Sequence, residues 1–411
     1  MQILYKNIIE EAIKKVESQI KQLPDGKNLL LFSGYLDKIY YNLLFDNKIK
    51  DKELVFTNYF IKFYSEIPKG QMAFNLAEIV GVFWISNLLY EKKIITNEKF
   101  RVDNSILKPV LETAIKMQEN NLYDLFSASV GNVNAVLSIA KELDKEQEKL
   151  LIEYLKILEK TAEQEEHCDG YKWQSYNFLT KEYTYNLGLS HGITSIVALL
   201  CKILEKCSFN QEIKEHSEKI MRKAINYILY NEIDFEKYNS HFPNHSIDYY
   251  NDKLYGSRLA WCYGDLGIAY TLLRAALVLD DKILLNKSTS ILLDCTKRID
   301  YAKNYIFDPW FCHGTSGIAY IFKKTFEKTN ITEFNVSANF WLSETINILK
   351  TNIIDYIHNK HPDHKKDDLI NKLAHKLKST NMIEGYTGIA MVLRSFLNTD
   401  NCEWEEFFLL N

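Results

Sequence analysis

Residues 261–270 read Trp-Cys-Tyr-Gly-Asp-Leu-Gly-Ile-Ala-Tyr, and fifty residues on, residues 311–320 read Phe-Cys-His-Gly-Thr-Ser-Gly-Ile-Ala-Tyr. Aligned without a gap, the decads share Cys, both Gly, Ile, Ala and Tyr, with an aromatic leading each. Outside low-complexity sequence, agreement of this kind marks an internal repeat. The chemistry is what varies: Cys262 in one copy, Cys312 and His313 in the other. Two thiols and an imidazole are a donor set that catalytic zinc sites use, leaving one coordination position open.

Weaker copies appear when the decad is slid along the chain. Their leading glycines are read as Gly34, Gly81, Gly131, Gly192, Gly264, Gly314 and Gly385, with Asp37 and Ser195 in place of the second glycine in the first and fourth copies. Each copy reads as a loop opening a helix. The leading glycine can take a backbone conformation closed to other residues. Ile-Ala-Tyr then starts a buried helical face. Between copies, stretches such as 145–160 and 213–230 place apolar residues at helical spacing among charges. The pattern predicts an all-α chain, an α/α toroid of seven helix pairs with the glycine loops at one end. Closure into a ring also removes the exposed ends of an open solenoid. No Pro-, Gly- or Ser-rich linker divides residues 1–411, so one domain is expected, with insertions around 205–258 and 355–380.

Composition agrees. The chain is 46% hydrophobic and 25% charged, which suits a large core and excludes a disordered segment. The net charge of -4 without a basic stripe argues against nucleic acid as a partner. The N-terminal stretch sets Ile8, Ile9, Ala12, Ile13, Val16 and Ile20 at helical spacing between charges, which is an amphipathic helix and not a signal peptide. No apolar run has the length of a membrane span. Seven cysteines without dense pairing fit a reducing cytoplasm better than a disulfide framework.

Equivalent loop positions in neighbouring repeats should bring Cys262 and Cys312 together, with His313 turned to the same point. Thiolate, thiolate and imidazole select zinc among common metals. His191 precedes Gly192 as His313 precedes Gly314, but its neighbour is Ser190 and not a cysteine. It can face the metal without ligating it, which suits a proton carrier. Arg258, Asp124 and Tyr263 also stand at loop positions, where each has an ordinary alternative: a solvated cation, a helix-cap acid and a packing aromatic. His358, His361 and His364 surround Pro362 among lysines and read as a solvated loop. Cys168, Cys201, Cys207, Cys295 and Cys402 read as plain thiols.

The combination Arg258, Trp261-Cys262-Tyr263-Gly264 and Cys312-His313-Gly314, with Ser190-His191-Gly192 upstream, resembles the lanthionine synthetase C family, and within it the stand-alone bacterial cyclases of class I lantibiotic biosynthesis. The resemblance implies an α/α toroid with Zn2+ held by Cys262, Cys312 and His313. It also implies catalytic or substrate-positioning roles for His191, Arg258, Asp124 and Tyr263. The implied reaction is Michael addition of peptide cysteine thiols to dehydroalanine or dehydrobutyrine. The implied partners are a dehydrated precursor peptide with its leader, a lantibiotic dehydratase and an ABC transporter, in a cytoplasmic, membrane-associated complex. A glutathione-linked relative and a peptide-binding scaffold with structural zinc are the alternatives. A glycosidase of the same architecture would need paired carboxylates; Asp265 and Glu384 stand at loop ends, but the cysteines would then have no role.

Overall fold

The computed structural model describes residues 2–24, 28–66, 73–177, 181–207, 210–250, 254–397 and 403–411; Cys402 lies outside them. Among these residues the chain alternates between an outer and an inner ring of helices. The outer helices are α1 (Gln2–Gln22), α3 (Lys52–Glu66), α5 (Asn104–Glu119), α7 (Lys145–Lys160), α9 (Gln211–Tyr230), α11 (Lys282–Thr296) and α13 (Thr332–Lys350). The inner ones are α2 (Tyr35–Phe45), α4 (Ile79–Glu91), α6 (Ser129–Ile139), α8 (Ile193–Cys207), α10 (Asp265–Val278), α12 (Thr315–Thr329) and α14 (Tyr386–Leu397).

The two rings differ as their sequences require. Outer α7 is started by a capping box, in which Asp144 accepts from the Glu146 and Gln147 amides while Gln147 returns to the Asp144 amide. Leu151, Tyr154, Leu155 and Leu158 then bury one stripe and leave the charges outside. Inner α8 is buried on nearly every side, as a helix flanked by neighbours and a central core must be. Each inner helix packs on the next, from α2 through α14, and α14 packs back on α2 while α1 covers it from outside. The ring is closed.

A backbone ladder joins the loops in front of the inner helices. The residue two before the leading glycine donates its amide to the equivalent carbonyl of the next repeat: Ser190 to Cys262, Cys262 to Cys312, and Cys312 to Ile383. The last loop meets the first through Thr380 Oγ1 on the Gly34 carbonyl and the Met382 amide on Asp37. This ladder makes Cys262 and Cys312 neighbours. Gly264 has φ 97°, in the region that favours glycine. A Cβ on Gly267 or Gly317 would collide with the carbonyl oxygen of Trp261 or Phe311.

Several expectations are corrected here. Gly81 and Gly131 lie inside α4 and α6 as their third residues, in the place of Gly267 and Gly317, so they are second glycines and not leading ones. The 205–258 stretch holds the end of α8 and the regular α9, and its described residues after 230 carry only the four-residue helix Phe235–Tyr238 and the 3-10 turn Ile247–Tyr249. The structure adds two small antiparallel hairpins between α7 and α8: β1 (Glu163–Glu165) with β2 (Gly170–Lys172), and β3 (Ser175–Asn177) with β4 (Glu182–Thr184). The 355–380 stretch carries short helices, Ile353–Lys360 and Lys366–Leu373. His361 is buried and not solvated: its ring stacks on Phe307 and its Nε2 meets the Ile306 carbonyl at 2.6 Å.

Residues 403–411 occupy the centre of the ring. Trp404, Phe407, Phe408, Leu409 and Leu410 are buried there. Polar groups of the inner helices hold the segment's backbone: Asn134 Nδ2 on the Glu406 carbonyl at 2.8 Å, Arg274 on Leu409 at 2.7 Å and Tyr270 on Leu410 at 2.8 Å. Buried Lys202 pairs with Glu406 at 3.0 Å. Phe408 packs against Phe32, Trp261 and Phe311, directly behind the cysteine loops. Phe408→Ala should therefore cost about 3–5 kcal/mol of stability, read as a lowered denaturation midpoint. A midpoint unchanged from wild type would show that the segment does not contribute to the core.

Candidate metal centre and its surroundings

The ligand atoms of Cys262, Cys312 and His313 lie within 4.8 Å of one another. Sulfurs on a tetrahedral zinc, each about 2.3 Å away, stand about 3.8 Å apart, so these residues need little rearrangement to share an ion. The donor set fits a metal. Burial alone would raise the Cys262 thiol. Hydrogen bonds from Cys312 and His313, helped by the charge of nearby Arg258, instead hold it well below the ordinary thiol range. Cys312, donating to that thiolate, is raised correspondingly. The cluster thus favours a thiolate at Cys262, and metal binding would displace protons from the donor set.

His313 is held from its other side by a buried polar group. Its Nε2 is 3.3 Å from Asp308 Oδ2, 3.4 Å from Glu384 Oε1 and 2.8 Å from Lys376 Nζ. Burial pulls the His313 pKa down, but the Asp308 carboxylate and Cys262 push it up to about 9. Burial raises Asp308, but His313 and Lys376 hold it well below the usual carboxylate range. Lys376 comes from the 355–380 insertion, so that insertion forms part of the site wall.

His191, in the preceding loop, pairs through Nδ1 with Asp124 Oδ2. Asp124 is fixed by the amides of Phe126 and Ser127, both at 2.8 Å to Oδ1, which leaves Oδ2 for the histidine. Partial burial lowers the His191 pKa, and Asp124 more than offsets this to raise it. The side chain is 45% exposed, open to the mouth of the ring. Tyr263 lies beside it, ring centres 6.1 Å apart, and its hydroxyl accepts from Asn186 Nδ2 at 3.0 Å. Burial pushes the Tyr263 phenol up to about 12, so it is a neutral hydrogen-bonding group. The expected residues therefore gather in two adjoining groups: Cys262, Cys312 and His313 with Arg258 in range, and His191 with Asp124 and Tyr263.

Sequence reasoning missed Asp308, Asn186, Lys376 and Glu384's contact with His313. Asn186 and Asp308 stand six residues before Gly192 and Gly314, the same place that Arg258 holds before Gly264. Each also turns its own loop, Asn186 onto the Gly188 amide and Asp308 onto the Trp310 amide. That equivalence was available in the sequence. Asp265 is fully buried in an ion pair with Arg298 at 2.6 Å, which removes it as the partner of Glu384 in glycoside chemistry.

A closed α/α toroid with two thiols and an imidazole converging at one mouth defines a class of helical toroids whose loop ring carries a candidate metal site. A family model for lanthionine synthetase C-like proteins matches residues 79–409, and the chain belongs to that family. It is similar in fold to the nisin cyclase over 100% of this chain and 98% of that one, with a TM-score of 0.69 and 20% sequence identity. No curated protein matches the chain. Among the described residues, no helix is long and apolar enough to cross a membrane.

Proposed function

We propose that the protein is a zinc-dependent lanthipeptide cyclase, forming lanthionine and methyllanthionine thioether rings in a dehydrated precursor peptide. The observation that carries this reading is the mutual approach of Cys262, Cys312 and His313 next to the half-exposed His191–Asp124 pair. When bound by those three residues, zinc would acidify a substrate cysteine thiol and hold its sulfur as a nucleophile.

The remaining steps fall to the chain. The substrate sulfur adds to the β-carbon of dehydroalanine or dehydrobutyrine, and the electron pair passes to the amide oxygen as an enolate. Arg258 supplies positive charge near that oxygen. His191, whose protonated form Asp124 favours, delivers a proton to the α-carbon, which completes the thioether. Tyr263, braced by Asn186, positions the peptide beside His191 as a neutral donor. Dehydration of Ser and Thr must precede this reaction, so a dehydratase is the expected upstream partner. An exporter such as an ABC transporter is expected downstream, with the leader peptide holding the substrate on a cytoplasmic, membrane-associated assembly.

The test is to incubate a dehydrated precursor with the protein and count free thiols by alkylation and mass spectrometry. Thiols should disappear, a chelator should stop this, and added zinc should restore it. Ring closure at an undiminished rate in chelator would remove zinc from the mechanism. Zinc uptake without any loss of thiols would favour the scaffold reading.

A further inference from the structure

We infer that His241 is a positioning residue: held as an imidazolium between two carboxylates, it pins residues 240–246 against the loop that carries Asn186. The clamp follows from its own contacts, and its bearing on catalysis rests on the cyclase reading above. His241 Nδ1 is 3.1 Å from Glu232 Oε1, just after α9, and Nε2 is 3.1 Å from Asp294 Oδ2 on α11. A neutral imidazole has one N–H and one lone pair, so it satisfies only one of these acceptors; the imidazolium donates to both. The ring is buried and stacked on Phe235, centres 4.8 Å apart, which keeps both nitrogens aimed at the acids.

The charges around the ring are otherwise paired. Lys287 lies 2.6 Å from Glu232, Lys297 2.7 Å from Asp294 and Arg298 2.6 Å from Asp265, with Glu236 near Lys297. Burial, Asp265 and Asp294 push the Cys295 thiol well above the ordinary range, so it is uncharged. Burial pulls the His241 pKa down, but Glu232, Asp265 and Asp294 push it above its ordinary value. The main chain ties the ring to the site. The His241 amide donates to Asp265 Oδ2 at 2.8 Å, and its carbonyl accepts from the Ile233 amide at 2.8 Å. Farther along, the Asn244 carbonyl accepts from the Leu187 amide at 3.0 Å, and the Ser246 amide donates to the Tyr185 carbonyl at 2.8 Å. Asn186 lies between those two bonds and holds the Tyr263 hydroxyl.

A group whose pKa is raised on folding stabilises the fold below its unfolded value, about 6.5 for histidine. That contribution is lost as pH rises through the folded value. Wild type should therefore exceed His241→Gln in denaturation midpoint by the widest margin at about pH 6, narrowing toward about pH 9. Asp294→Asn changes a partly exposed position and should show the same narrowing, since its lost pair with Lys297 weighs equally at both values. The test thus stands even where His241→Gln fails to fold. A margin constant across the range would mean a neutral ring and overturn the inference. Hydrogen exchange read by mass spectrometry tests the positioning. Peptides covering 183–192 should lose protection in Asp294→Asn, while those covering the Cys312 ladder bond keep theirs. Unchanged protection at 183–192, or an equal loss at the ladder bond, would overturn the role. Neither measurement uses substrate, so a wild type that leaves peptide thiols free would sink the cyclase reading and not the clamp.

Discussion

Cys312→Ala is expected to lose its zinc and its ring-closing activity together. Cys312 is held in place by its backbone, with its amide on the Ile383 carbonyl at 2.9 Å and its carbonyl accepting from Cys262 at 3.3 Å. The loop ladder therefore survives the substitution, and the circular dichroism spectrum should be unchanged. What disappears is one of two sulfur donors, a larger change than the outer-shell substitutions that cost roughly 10–100-fold in affinity. Metal content by mass spectrometry should fall from one zinc per chain to none, and free thiols in a dehydrated peptide should persist. Zinc retained at full stoichiometry would mean that the ligands are misassigned. Activity without metal would end the thiol-activation argument.

The second expectation concerns protons. His191→Ala should keep its zinc and lose about 10²–10⁴ in kcat, the usual worth of general acid–base catalysis. Asp124→Asn gives the sharper readout because its direction can be worked out. Partial burial lowers the His191 pKa, and the Asp124 carboxylate reverses that. An amide at 124 cannot stabilise the imidazolium, so the His191 pKa falls. An acid must be protonated to act, and its activity is lost as pH rises through its pKa. The alkaline limb of the rate profile should therefore move to lower pH in Asp124→Asn, with most activity remaining on the acid side. If His191 worked as a base, the acid limb would move to lower pH instead, and the assignment of the α-carbon proton to His191 would be wrong.

The sequence exposed most where the repeat was strongest. Trp261–Tyr270 and Phe311–Tyr320 share six of ten positions, so aligning them brings Cys262 and Cys312 into register and sets His313 against Tyr263 before any fold is known. The first repeats blurred. Leu31–Asp37 keeps only the leading glycine, and the second and third copies keep only the inner one, so a reading by glycine alone sets Gly81 and Gly131 three residues out of place. The hairpins at 163–184 were hidden because strands of three residues, EQE and GYK among them, carry no alternating apolar pattern. Lysines surround His361 in sequence and point to solvent, whereas in space it stacks on Phe307. Lys376 cannot be paired with His313 from spacing alone, since it comes from the 355–380 stretch outside the repeat; Glu384 stands in the next repeat at the position of His313, one residue before the leading glycine.

Because residues 403–411 fill the axis behind the cysteine loops, the toroid is a cul-de-sac. A peptide cannot thread through it from face to face. On the proposed cyclase reading, substrate would dip in as a bend that brings one cysteine and one dehydro residue to the floor, and the finished thioether would back out by the way it came. Each ring would then be made in a separate visit, with both flanks of the peptide outside, and already closed rings would need only to fit beside the mouth. A precursor with several rings would be processed by repeated sampling, and partially cyclised forms should be released into solution between visits.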